Sequence, residues 1–162
     1  MSLTKTPSFA WHVLANCDPK QVEQFTANGI NAGIKYKLGA KVSPLSSAIA
    51  RISEVDCSGF VRWAIFQVCG TIIPDGSVNQ HQWADIQGLK KSTVNDAKNK
   101  DNFLRIAFLR PQGDEPGHVM LIANGLTCES HGGKGIDRRP WGSCSWMGNC
   151  EVYVLALPVV GK

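Results

Sequence analysis

Helical spacing of apolar residues dominates the first half of this chain, and strand-like runs dominate the second. Phe60, Trp63, Ala64 and Val68 recur on one face of a 3.6-residue period. Asp56 is a good N-cap residue and Gly70 stands where a C′ glycine ends a helix, so the pattern predicts a helix from about Cys57 to Cys69. A shorter helix is predicted over residues 19–29, with Asp18 as N-cap, Pro19 at N1 and Gly29 as the stop. Residues 30–50 read as a loop, Ile72 to Gly76 as a turn, and residues 77–102 as polar with helical fragments around 79–87.

The second half reads as strands: Phe103 to Leu109, His118 to Ala123, Leu126 to His131 and Glu151 to Leu157. Pro111 to Gly117 is an exposed acidic turn. Asn124-Gly125 is a strong two-residue hairpin signal. With that turn, Ala123 opposes Leu126, Met120 opposes Glu129 and His118 opposes His131. Opposed residues project to one face of a sheet, so His118, Glu129 and His131 share a face, with Glu129 diagonal to His118. The class is α+β, helices first and an antiparallel sheet after.

The chain has 162 residues, 43% hydrophobic and 19% charged, which suits one folded domain spanning residues 1–162. A net charge of +4 favours anionic surfaces, but basic residues are dispersed and not interleaved with aromatics, which argues against nucleic acid. No apolar run is long enough to insert in a membrane. Met1 to Asn16 lacks the basic start and long apolar core of a signal peptide. Among the six cysteines, Cys144 and Cys150 are close in a Gly-rich stretch and could bridge, whereas Cys69 has no evident partner. No Cys-x-x-Cys and no histidine pair has metal-ligand spacing, so neither metal nor other cofactor is expected.

Against this background Cys57 stands out. It opens a predicted helix, where unpaired N–H groups and the macrodipole favour an anionic sulfur. The small Ser58 and Gly59 leave room for a substrate. The plain alternative is a buried structural cysteine. A nucleophilic cysteine needs a base, and the base needs an orienting group. Of the histidines at 12, 81, 118 and 131, His118 opens a strand at a sheet end, and its face carries Glu129 and His131 as orienting candidates. His12 and His81 are not on strands and read as incidental.

Asp56-Cys57-Ser58-Gly59-Phe60-Val61, followed by Gly117-His118-Val119 on a strand and a polar residue about a dozen positions on, resembles the NlpC-type cell-wall cysteine peptidases. Tyr36-x-x-Gly39 resembles that family's tyrosine–glycine motif. Ile73-Pro74-Asp75-Gly76-Ser77 with Gln80 or Gln82 resembles the segment after its nucleophile helix. The match spans roughly residues 30–157. The resemblance implies a papain-like α+β fold, with N-terminal helices and the nucleophile helix packed on a central antiparallel sheet. It implies Cys57 as nucleophile, His118 as base and Glu129 as orienting residue, with His131 competing for that last role. It further implies that Asp56 and Ser58 contact the free amino end of a stem peptide, and that Tyr36 lines the site.

The chain departs from the family pattern in two places. Glu129 stands where a histidine is common, and Leu104-Arg105-Ile106-Ala107-Phe108 replaces a Gly-Asp-Leu motif. Gly132-Gly133-Lys134-Gly135 and Arg138-Arg139-Pro140-Trp141 read either as a cationic loop shaping the cleft for an anionic substrate or as a solvated loop. The implied function is a monomeric peptidase or amidase acting in the bacterial cell wall or periplasm. Its substrate would be the peptide of peptidoglycan, at a D-glutamyl–diamino acid bond among the candidates, and an inhibitor or immunity protein fits as a further partner. A thiol acyltransferase or deamidase, and an inactive papain-like module that binds wall fragments or a partner, are the competing readings.

Overall fold

Two helices flank the loop over residues 32–56, and a third follows the second after a short turn. In the computed structural model, which describes residue 14 and residues 17–158, α1 spans Pro19–Asn31, α2 Cys57–Cys69 and α3 Ser77–Ile86. His12 lies outside the described residues. The strands are β1 (Lys91–Ser92), β2 (Leu104–Leu109), β3 (His118–Ala123), β4 (Leu126–His131), β5 (Gly135–Asp137) and β6 (Glu151–Ala156). They form one sheet in the order β1-β6-β2-β3-β4-β5, with every neighbouring pair antiparallel.

The α2 helix is built as its ends predict. The Asp56 side chain accepts the Gly59 N–H, and Gly70 closes the helix in the left-handed region at φ 75°. Phe60, Trp63 and Ala64 are fully buried, while Val68 packs at the margin. Burial extends further round the helix than the predicted stripe, because Val61 and Ile65 are also enclosed. The cause is packing on several sides. The helix lies against α1, β3 and β4, and the residues 44–46 loop is tied over it by Trp63 Nε1 donating to the Ser46 carbonyl at 2.6 Å.

Along β3 the alternation assigns each face. Val119, Leu121 and Ala123 join the large core under the helices. Met120 and Ile122 join a second cluster with Trp141, Met147 and Val152, covered by the chain around residues 94–97 and 141–150. Asn124 and Gly125 both have positive φ, 52° and 82°, as a type I′ turn demands. The register Ala123↔Leu126, Ile122↔Thr127, Leu121↔Cys128 is the one the turn predicts.

Four expectations are corrected. Gly29 does not stop α1, which continues to Asn31; Gly29 is where the helix meets β5, and a Cβ there would lie 2.6 Å from Ile136 Cδ1. The segment after His131 is not all loop, because Gly135–Asp137 pairs with Glu129–His131 as β5. Cys69 does have a partner: it is bonded to Cys17, 52 positions earlier, across the ends of α1 and α2. Cys144 and Cys150 are both free. They sit at the two ends of a 3-10 turn over Ser145–Asn149, where Cys150 faces the second core and the Cys144 sulfur accepts from Arg139 Nη1 at 3.2 Å.

Candidate active site

Cys57 is the first residue of α2, and its backbone sits among the unpaired N–H groups of the helix start. It is 6% exposed. The lack of a side chain at Gly59 does not open the approach to the sulfur. A Cβ there would lie 2.9 Å from Asp56 Oδ1 and 3.2 Å from the Ala40 carbonyl, so glycine is what lets the preceding loop close on the helix start.

His118 begins β3, opposite Leu109 of β2. Gly117 makes that placement possible, since a Cβ on it would stand 2.5 Å from the Leu109 carbonyl oxygen. The His118 ring packs edge-on to Trp146 at a centroid separation of 5.7 Å. Its Nε2 meets Glu129 Oε1 at 2.8 Å, which leaves Nδ1 for other partners. Cys57 lies within interaction range of the ring. Burial by itself lowers the His118 pKa, but the hydrogen bonding and negative charge of Cys57 and Glu129 outweigh it and raise the value to about 9.

Glu129 is wholly buried in β4 and surrounded by donors. Arg139 Nε donates to Oε2 at 2.8 Å and Arg139 Nη2 to Oε1 at 3.0 Å. The Thr127 hydroxyl donates to Oε2. Burial pushes the carboxyl upward, yet the bonds from His118, Arg139 and Thr127 win and hold it at about 2. The group is therefore an anion whose every oxygen is fixed.

His131 does not meet His118. Its Nε2 pairs with Asp137 Oδ2 at 2.9 Å across the β4–β5 hairpin, and its Nδ1 lies 3.2 Å from the Gly132 carbonyl oxygen. The outer half of β4 turns from β3 to β5 as its partner, so the hairpin count that opposed His118 to His131 fails beyond Leu121↔Cys128. The shared face of His118 and Glu129 survives.

Tyr36 is half-buried beside Gly132, within 4.0 Å of where a Cβ on that glycine would lie. Its phenol is raised above its ordinary value by burial first, then by the negative charges of Cys57 and Asp56, so it remains a donor. Asp56 is buried and caps α2; Ser58, also buried, hydrogen-bonds to it at 3.3 Å. Gln80 of α3 donates to the Ser58 and Pro74 carbonyls, both at 3.0 Å, and ties α3 to the start of α2. Gln82, its alternative in the sequence, is exposed. A cleft of about 320 Å³ opens beside His118, walled by Arg110, Gln112, Glu115, Pro116, Trp146 and Asn149.

Three residues here escape sequence reasoning. Arg139 reads as part of a cationic loop but is turned inward onto Glu129, while Arg138 lies 3.6 Å from Glu23. A glutamate placed on a buried strand demands a cationic partner, and that requirement was the available signal. Lys41, whose ammonium reaches Asp56 at 2.7 Å, and Trp146 carried no signal at all. His81 is buried on α3, stacked on Phe108 at 4.5 Å and facing Glu151. Among the described residues no cluster of three or more His, Cys, Asp or Glu is placed to hold a metal ion.

An antiparallel sheet carrying a helix that begins with cysteine, and a histidine at the adjoining strand end, defines a papain-like α+β fold. More particularly, the fold is that of NlpC/P60 domains. It matches the NlpC/p60 domain of peptidoglycan hydrolase SagA with a TM-score of 0.54 and 21% identity, over 84% of this chain and 97% of that one. RipB, a peptidoglycan hydrolase from Mycobacterium tuberculosis, matches with a TM-score of 0.51 and 22% identity over 96% and 74% of the two chains. An NlpC/P60 family protein from Bacillus cereus ATCC 10987 matches with a TM-score of 0.56 and 18% identity; 86% of this chain aligns, to 40% of that one. No protein-family model matches the chain, and no curated protein matches its sequence. At such identities the likeness speaks for the fold, and chemistry has to be argued from the site.

Proposed function

We propose that this protein is a cysteine peptidase or amidase that hydrolyses an amide bond in the stem peptides of peptidoglycan. The single observation that carries the reading is His118, bonded to a buried, fully anchored carboxylate and interacting with the cysteine that starts α2. The peptidoglycan hydrolases SagA and RipB having the same fold supports the substrate class, as does a net charge of +4 against an anionic wall. The site of action is then the bacterial cell wall. Among the described residues no helix is long and apolar enough to cross a membrane.

In this reading the Cys57 sulfur, as a thiolate, attacks the amide carbonyl and forms a C–S bond. The oxyanion is met by the Cys57 backbone N–H and the Tyr36 hydroxyl. His118, protonated at neutral pH because of its raised pKa, gives its Nδ1 proton to the leaving amine as the C–N bond breaks. The neutral ring then takes a proton from water as its oxygen attacks the thioester; the C–S bond breaks, the acid leaves, and the thiolate and imidazolium are restored. Glu129 holds Nε2, fixing the tautomer and stabilising the imidazolium. Glu129, not His131, takes the orienting role.

The test is mass spectrometry of muropeptides from purified wall before and after incubation. New fragments are expected, and their masses give the bond that is cut. Cys57→Ser and His118→Ala each abolish them; full activity in Cys57→Ser rejects the mechanism.

A further inference from the structure

Lys41 lies in the loop ahead of α2 and belongs to none of the motifs. Its Nζ stands 2.7 Å from Asp56 Oδ2, 3.0 Å from Asp56 Oδ1, 2.7 Å from Ser58 Oγ and 3.2 Å from Asp75 Oδ1. The three protons of an ammonium are thereby used. The carboxylate of Asp56 is used as well. Its Oδ1 accepts from the Gly59 N–H at 2.7 Å, the Ser58 hydroxyl and Lys41, and its Oδ2 accepts from the Gly39 N–H at 3.1 Å and Lys41. Those five contacts come from four donor groups, Lys41 reaching both oxygens, and they fill the roughly four lone-pair sites of a carboxylate. Asp56 is only 3% exposed, whereas the Lys41 side chain is 35% exposed. The group that solvent meets at this end of the site is thus a cation already satisfied by two carboxylates. Burial works against that charge, but the bonds to Asp56 and Asp75 raise the Lys41 pKa above its ordinary value, so the ammonium is permanent at neutral pH.

Asp56 caps α2 and Ser58 stands in its first turn with Cys57, and the Tyr36 phenol feels the negative charge of both Cys57 and Asp56, so what Asp56 and Ser58 hold lies at the Cys57 end of the helix. We propose that Lys41 supplies, from inside the chain, the ammonium that Asp56 and Ser58 hold, so that this subsite accepts a stem peptide with an acylated amino end and rejects one with a free amino end. The inference rests on the peptidase reading above and adds its substrate selection. A second ammonium finds no open lone pair on Asp56 and meets the like charge of Lys41. To bind, it must displace a tethered side chain from three partners at once. A neutral acyl amide, such as the one joining a peptide to its glycan strand, suffers neither penalty. The role assigned to Asp56 and Ser58 in the sequence reading changes accordingly: they anchor Lys41 rather than substrate.

The probes are a synthetic stem tetrapeptide with a free amino end and the same peptide N-acetylated. For the unaltered protein, kcat/KM for the acetylated peptide is expected to exceed that for the free one at least tenfold. Lys41→Met, checked for folding by its thermal midpoint, is expected to move that ratio at least tenfold toward the free amine. Calorimetric binding of both peptides to the Cys57→Ala protein gives a readout without turnover and without touching Lys41. Tighter binding or faster cleavage of the free-amine peptide by protein that retains Lys41 overturns the proposal. So does an unchanged ratio in folded Lys41→Met, or binding of neither peptide. If neither peptide is cut but the acetylated one binds more tightly, the peptidase reading falls and the Lys41 assignment stands.

Discussion

Arg139 grips Glu129 through two parallel hydrogen bonds, Nε to Oε2 at 2.8 Å and Nη2 to Oε1 at 3.0 Å, and the second oxygen is the one that meets His118. The carboxylate that orients the histidine is itself oriented from behind. Arg139 in turn lies over the Trp146 ring at 5.3 Å, and that ring packs edge-on to His118.

Removing the clamp exposes its worth. Arg139→Met leaves a wholly buried carboxylate short of its cation, and the expected loss of stability is about 3 kcal/mol. Arg139→Lys recovers little of it, because a point charge cannot make two parallel bonds. Urea denaturation of the two variants measures this; a full rescue by lysine contradicts the bidentate account.

Glu129→Gln keeps the shape of the side chain and removes its charge. In the proposed mechanism kcat falls on the order of 10³ to 10⁴, by analogy with the carboxylate of a serine triad, while KM changes little. Steady-state kinetics on a synthetic stem peptide separates the two constants. A comparable kcat loss in His131→Ala would transfer the orienting role to His131.

The pH dependence follows from two opposite shifts. His118 is raised from 6.5 to about 9, so its contribution to stability is complete below 6.5 and disappears as pH climbs through about 9. Glu129 is lowered from 4.5 to about 2, so its contribution is complete above 4.5 and disappears as pH falls toward 2. Together they are worth most between about pH 4.5 and 6.5. Thermal midpoints across pH 3 to 10 should decline on both sides of that window, and the alkaline decline should shrink in Glu129→Gln. Turnover should fall with an apparent pKa near 9, as the proton for the leaving amine is lost.

The bond between Cys17 and Cys69 closes a long loop, with 52 positions between its ends. Cys17→Ser with Cys69→Ser is expected to cost about 4 kcal/mol, the loop-entropy value for that separation. It should leave turnover at 25 °C within a few-fold, because Cys69 ends the helix that Cys57 begins, about three turns from the sulfur's end. Denaturation with and without reductant checks the first part. Loss of turnover in the folded double variant would contradict the second.

Local chemistry made much of the fold legible. The capping aspartate, the apolar period and the closing glycine place α2 residue for residue, and Asn124-Gly125 places β3 against β4. Strand parity is strict, so the common face of His118 and Glu129 follows from counting. Solved NlpC/P60 domains share the resulting architecture.

Where a side chain's partner is distant in sequence, counting has nothing to say. No period links Arg139 to Glu129, Lys41 to Asp56, or Cys17 to Cys69; each pair meets only because separate elements pack together. The same holds for Gly29, which looks like a helix stop until Ile136 of β5 is seen against it. His131 turns to Asp137 because β5, too short to declare itself, captures the outer end of β4. Sequence alone determined the longer elements and the faces on which the thiol, imidazole and carboxylate stand, since these depend on backbone periods and caps within a few residues. Tertiary structure decided which charges those groups meet, because a buried charge is satisfied by whatever the fold brings within about 3 Å, at any separation along the chain.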